Sequence, residues 1–187
     1  MRIWYELMRA IALWQTQTSV VGWTAKQCGV VLMAKIVYGE RIGKLGKITL
    51  GCSAAIFAPT RQKVLLTRRT DNGRWCLPGG RMDAGEDATE TCIREVLEET
   101  GLHVRIEHLI GVYSNPNFII EYADGERCHS VALHFEATPI AGTLSICEET
   151  TEYGYYSLNE IASMDVMEHH LERIQDTFAA QKAAFIR

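Results

Sequence analysis

From Lys47 to Pro59 the chain reads KITLGCSAAIFAP, a nearly continuous apolar run with β-branched residues. It predicts a buried strand that stops at Pro59. KVLLTRR predicts a second strand, and TDNG then separates it from RWCLPGG. Asn72-Gly73 within that break is a strong hairpin signal. Gly79-Gly80 are expected to end the strand and let the chain turn sharply. From Asp87 to Thr100 the period changes. Ala88, Cys92, Ile93, Val96 and Leu97 recur at helical spacing on one broad side. Gly101 stands where a C′ residue belongs. LHVRIEHLIGVYS and HSVALHFEAT again predict strands, and Asp124-Gly125 in YADGER marks a hairpin. EYGYYSL predicts a last strand, NEIASM a short helix and VMEHHLERIQDTFAAQKAAFI a long terminal helix. Strands, one embedded helix, more strands and then helices make a mixed α/β sandwich.

Residues 1–46 read as an N-terminal extension to a domain spanning 47–187. The extension is rich in Trp and apolar residues, but its longest uncharged run, Ala10 to Ala25, is broken by Gln15, Thr16, Gln17 and Thr18. A membrane span needs roughly 20 mostly apolar residues, so none is expected. Glu6 and Arg9 interrupt what would be the start of a signal peptide. Three readings stay open: an amphipathic arm on the domain or a dimer mate, a weak targeting segment, or a stretch before Met33 that is not native. Met33 begins MAKIVYGERIGKLGKITLG, which has the look of a natural polar start.

Composition narrows the class. With 187 residues, 47% hydrophobic and 22% charged, one domain can hold a full core. A net charge of −4 gives no reason to expect nucleic acid, which favours a basic patch. Six cysteines are scattered without a C-x-x-C pair, which predicts reduced thiols and a cytoplasmic chain rather than zinc or a disulfide framework.

The chemistry lies in GRWCLPGGRMDAGEDATETCIREVLEETGL, which crowds Asp83, Glu86, Asp87, Glu90, Glu95, Glu98 and Glu99 together. Like charges at i, i+4 cost a helix a few tenths of a kcal/mol per pair. Glu95, Glu98 and Glu99 stand at i, i+3 and i+4, on one face turned largely from the apolar side. A lone E-x-x-E-E is most often a solvated surface. Here the alternative is a cation held among the carboxylates, and oxygen donors suit Mg²⁺ or Mn²⁺. Glu86 can reach Arg94 and fix the preceding loop. Gly80, lacking a side chain, can bring its carbonyl close to a metal or phosphate.

Gly80, five residues, Glu86, seven residues and then Arg94-Glu95-Val96-Leu97-Glu98-Glu99-Thr100-Gly101-Leu102 is a long, position-specific pattern. It resembles the Nudix box, G-x5-E-x7-R-E-U-x-E-E-x-G-U, with every defined position filled. The wider resemblance runs from about Lys47 to Asn159 and includes W-x-L-P-G-G before the box. It implies a Nudix-type α/β/α sandwich with a mixed sheet, the N-terminal extension and C-terminal helix lying outside it. It also implies a metal-dependent pyrophosphohydrolase. The substrate would be a nucleoside diphosphate linked to another moiety, with ADP-ribose or a nucleotide sugar slightly favoured. The alternatives are a (deoxy)nucleoside triphosphate pyrophosphohydrolase, which would include oxidised nucleotides, and a non-catalytic nucleotide-binding sensor. Loss of box glutamates would mark a sensor, and this chain keeps them.

Carried over by residue, the resemblance makes Glu95, Glu98 and Glu99 metal ligands, with the Gly80 carbonyl as a further one. Glu86 and Arg94 become a structural ion pair. Glu149, six residues before Tyr155, matches a later acidic ligand or base, with Glu152 as runner-up. The spacing leaves open which glutamate is the base. Tyr155 stands where Trp is frequent. Pro116, fifteen residues after Gly101, matches a proline that accompanies ADP-ribose hydrolysis. For substrate binding, Arg68, Arg69, Arg74 and Arg127 are candidates to meet phosphates, against the commoner role of solvated surface arginines. Tyr113, Phe118 and Tyr122 are candidates to stack on a base, against a role in the core. His169-His170 read as surface. Family members of this size include monomers and homodimers.

Overall fold

The structure, a computed structural model, describes residues 34–179 and 181–187. The arm proposed before Met33 lies outside the described residues, as does Cys28. A seven-stranded mixed sheet forms the centre. Its spine is β2 (Lys47–Ala55) against β8 (Arg127–Gly142), a parallel pair in register from Lys47↔Cys128 to Ala55↔Glu136. On the other side of β8 run β7 (Phe118–Glu121) and β6 (Leu102–Tyr113), both antiparallel to it. β1 (Lys35–Tyr38) adds to β7, so residues assigned from sequence to the extension contribute a strand to this sheet. A second sheet joins β4 (Trp75–Cys76), β3 (Val64–Arg69) and β9 (Thr150–Tyr156).

Alternation along β2 divides the core. Cys52 and Ala54 pack with Cys92 and Val96 of α1 (Ala88–Thr100), together with Phe135 and Ala137 of β8. Ala55 faces the other way, into a cluster with Leu66, Leu77 and Ile174. Ile174 belongs to α3 (Glu168–Ala179), which follows the short α2 (Leu158–Ile161). The expected sandwich of helix, sheet and helix is therefore present. All five described cysteines are free thiols, and four are buried. Among the described residues no helix is long and apolar enough to cross a membrane.

Two elements differ from the sequence reading. Gly79-Gly80 do not end a strand; Gly79–Arg81 form β5, antiparallel to Gly51–Ser53 of β2. A Cβ at Gly79, whose φ is 147°, would overlap the Cys52 carbonyl, so only glycine permits this approach. The terminal helix is also shorter than predicted. After Ala179 the chain returns as β10 (Phe185–Ile186), parallel to Gly111-Val112 of β6. The edge of β6 offers unpaired backbone groups. Ser114 and Val112 use theirs on Arg187, at 2.7 and 2.9 Å.

Candidate active site

The box helix is fixed at both ends by its own sequence. Asp87 is the N-cap: its carboxylate accepts from the backbone N–H of Thr89 and Glu90, while Glu90 returns a bond to the Asp87 N–H. Gly101 closes the other end at φ 73°, donating to the Leu97 carbonyl. Cys92 and Val96 are fully buried beneath the sheet, which sets the rotation of the helix. That rotation puts Glu95 and Glu99 at the covered margin and leaves Glu98 exposed.

Glu86 and Arg94 form an ion pair. Arg94 Nε and Nη2 donate to the two Glu86 oxygens at 2.5 and 2.9 Å. Thr91 Oγ1 and the Asp83 N–H also donate to Glu86. These donors, Arg94 foremost, hold the Glu86 carboxyl down to about 2. Arg94 also ties the loop to the helix through the Arg81 carbonyl, at 3.2 Å.

The three glutamates converge on the same neighbourhood. Arg94 Nη1 donates to Glu95 Oε1 at 2.7 Å and reaches Glu98 Oε2 at 3.4 Å. Glu99 Oε2 accepts the Gly79 N–H at 3.0 Å. Burial pushes the Glu99 carboxyl up to about 8, and the charges of Glu95 and Glu149 push the same way. Glu149, an exposed residue just before β9, is thus electrostatically coupled to the helix; its own backbone carbonyl accepts from the Thr70 N–H. Gly80 faces Glu95 so closely that a Cβ there would overlap the carboxylate. Among the described residues no three acidic, histidine or cysteine side chains already form a metal cage. The Arg94 guanidinium stands between two of the three carboxylates.

A cleft of about 200 Å³ opens beside the box loop, bounded by Gly79, Gly80 and Arg81 on one side and by β2 on another. Arg69 and Tyr122 line it. Arg69 is already paired with Asp71, through two bonds of 2.8 and 2.9 Å. The other substrate candidates lie elsewhere. Arg68 holds Glu152 and the Gly73 carbonyl, pinning the hairpin. Arg74 is engaged by Asp165, Glu168 and the Val166 carbonyl. Arg127 pairs with Glu121. Tyr113 is buried and donates its hydroxyl to Asp176. Pro116 sits in the β6–β7 connection, its carbonyl accepting the Gly43 N–H, and is not part of the cleft wall.

His169 and His170 are a correction. They are half-buried rather than solvated; both line the cleft, and the His170 Nδ1 accepts the Leu77 N–H at 3.2 Å. Arg173, one turn further along α3, lines it too and is buried. The sequence signal for all three is a break in amphipathicity: polar residues share the buried side of α3 with Ile174.

Comparison with known proteins agrees with this geometry. The NUDIX domain profile matches residues 49–177. A Bacillus subtilis protein provisionally named 8-oxo-dGTP diphosphatase is 51% identical over 57 residues, which are 30% of this chain and 38% of that one. An ADP-ribose pyrophosphatase of Methanocaldococcus jannaschii is 33% identical over 105 residues, 54% of this chain and 59% of that one. The chain thus spans well under two thirds of either curated relative. In fold it is similar to the MutT protein of Methanosarcina mazei, with a TM-score of 0.60 at 24% identity over 74% of this chain and 98% of that one. The box pattern, the helix–sheet–helix frame around it and a profile match across most of the chain lead to one conclusion: the chain belongs to the Nudix family.

Proposed function

We propose that the chain is a metal-dependent pyrophosphohydrolase that cleaves the diphosphate of a nucleoside diphosphate linked to another moiety. The observation that carries this reading is the packing of Glu95 against Gly80, with Glu98 linked to Glu95 through Arg94, Glu99 on the Gly79 N–H, and Gly79 and Gly80 lining the cleft. The donor set fits a hard divalent cation, Mg²⁺ or Mn²⁺: carboxylates, with a backbone carbonyl close by. Burial, with the charges of Glu95 and Glu149 added, raises the Glu99 carboxyl, and a cation among these groups would offset that cost.

Glu95, Glu98 and Glu99 would hold the ion, with the Gly80 carbonyl as a further ligand. A bound divalent ion neutralises phosphate oxygens and lowers the pKa of a coordinated water. The chain's own part is positional. Glu86 and Arg94 fix the loop that carries Gly80, and the capped helix fixes the carboxylates. Either a box glutamate or Glu149 can take the proton of the attacking water.

An ADP-ribose or nucleotide-sugar substrate is slightly favoured, in keeping with the Methanocaldococcus jannaschii relative's name. The Bacillus subtilis relative's name supports a triphosphate substrate as the second reading. Product analysis separates them. Purified protein with Mg²⁺ or Mn²⁺ is given ADP-ribose, nucleotide sugars, dinucleotides, and normal and oxidised triphosphates. AMP with ribose 5-phosphate supports the first reading, and a monophosphate with pyrophosphate the second. Tight binding without cleavage of any compound would overturn the hydrolase in favour of a nucleotide sensor.

A further inference from the structure

Arg173 is 6% exposed, yet among the described residues it forms no ion pair. Its guanidinium makes one long hydrogen bond, from Nη1 to Ser53 Oγ at 3.5 Å, and its Nε is covered and unpartnered. Its cation also stands 5.6 Å from the centre of the Tyr113 ring. Burial lowers the group only to about 10, so it remains charged at neutral pH. Beside it the His169 Nδ1 is likewise covered and unpartnered. Burial drives His169 down to about 3, so it is a neutral imidazole and can present Nδ1 as an N–H.

A buried cation without a counter-ion is costly, and buried donors are nearly always satisfied. The two groups are adjacent, and both line the cleft at the box loop. They also border a second hollow of about 180 Å³, but Glu168 and Glu172 line that one. The carboxylate on the cleft side, Asp71, is already occupied by Arg69. The unsatisfied positive potential therefore belongs to the cleft.

We infer that Arg173 and His169 form an oxyanion subsite in the cleft, which takes a phosphate or carboxylate group that the substrate carries outside the anhydride being cleaved. A guanidinium offers a fork of donors to such a group, and the imidazole adds one from the side. The box loop lines the cleft through Gly79, Gly80 and Arg81, where the proposed metal site would engage the diphosphate, and the subsite would engage a further anion directly from α3. The substrate class follows: anhydrides with a second anionic group, which within the hydrolase reading shifts the balance to a triphosphate or an acidic nucleotide sugar, since ADP-ribose has no phosphates beyond the diphosphate that is cleaved. The term substrate rests on the hydrolase reading; the subsite itself does not.

The test uses the full chain in EDTA, so that no metal at the box recruits the anion. Inorganic phosphate and acetate are titrated separately by calorimetry into wild type, Arg173→Met, Arg173→Lys and His169→Gln, each checked for folding by circular dichroism. Wild type is expected to bind one of the two anions, which identifies the source as phosphate or carboxylate. Arg173→Met should weaken that binding by about tenfold or more, the loss expected for a charge-assisted fork. Arg173→Lys and His169→Gln should each weaken it by less. If Arg173→Met does not fold, the other two variants carry the comparison. Absence of binding to wild type, or equal binding by every folded variant, would overturn the subsite. Anion binding that persists while no anhydride on the panel is cleaved would overturn the hydrolase and leave the subsite standing.

Discussion

The Glu95 carboxylate occupies the space that a side chain at Gly80 would need: a Cβ there would meet Oε1 at 2.7 Å and overlap the remaining carboxylate atoms. The backbone at Gly80 is not in the left-handed region, so glycine is required for room and not for conformation. Gly80→Ala should therefore displace Glu95 while leaving β5 paired. The expected result is turnover at least tenfold lower, with about 1–3 kcal/mol lost in urea unfolding from overpacking. Wild-type turnover in this variant would show that the Glu95 position has no bearing on catalysis.

Glu86→Gln tests the loop anchor. It removes a carboxylate that is 20% exposed and receives two bonds from Arg94. Because its folded value is depressed to about 2, the charged form stabilises the protein above its ordinary range near 4.5, and that contribution fades as pH falls towards 2. The variant should lose about 1–3 kcal/mol at pH 7, and the gap to wild type should narrow in acid. A gap independent of pH would assign the loss to packing instead.

Glu98→Gln and Glu99→Gln address the chemistry directly. Glu98 is exposed, so its substitution should leave stability within about 0.5 kcal/mol while lowering turnover by orders of magnitude. Glu99 is buried, and glutamine there can keep the bond from the Gly79 N–H. The double variant should fold and be inactive on every compound that the wild type cleaves. Full activity in it would remove the metal-site assignment.

His134 sets an acid limit on the fold. It is fully buried, with Nδ1 against Ser53 and Nε2 2.8 Å from Thr177 Oγ1, and burial holds it down to about 3. The unfolded chain takes up its proton near pH 6.5 and the folded chain does not. Stability is thus complete above that value and falls below it, by about 2 kcal/mol for this group between pH 7 and pH 5. Chemical denaturation of wild type and His134→Gln across this range should show the variant, though weaker at pH 7, with the shallower decline.

The box was legible because its residue types and spacing are both imposed locally. Asp87, Glu90 and Gly101 define the helix ends within the helix's own sequence, and Glu86 reaches Arg94 across a single loop. The β5 strand was not legible, since two glycines signal a turn unless the partner strand is known. The terminal helix was over-extended because Phe185 and Ile186 fit a helical pattern as well as they fit the edge of β6. The arginines near the hairpin carry no mark in sequence that separates a phosphate contact from an intramolecular pair. Arg68 and Arg74 find carboxylates of their own, while Arg173, inside an amphipathic helix, is left with none among the described residues. Such outcomes depend on partners more than 80 positions away.

The parallel pairing of β2 with β8 has a kinetic consequence. Ser53 and His134 meet across 81 positions of chain, and α1 lies within the loop that their pairing closes. Closing such a loop precedes any reward from the contacts it makes, which slows folding. The surface on which Cys92 and Val96 rest is built from both strands. The final seat of the box helix therefore depends on a pairing between strands far apart in the chain. A cation that needs the seated carboxylates would slow unfolding far more than it would hasten folding.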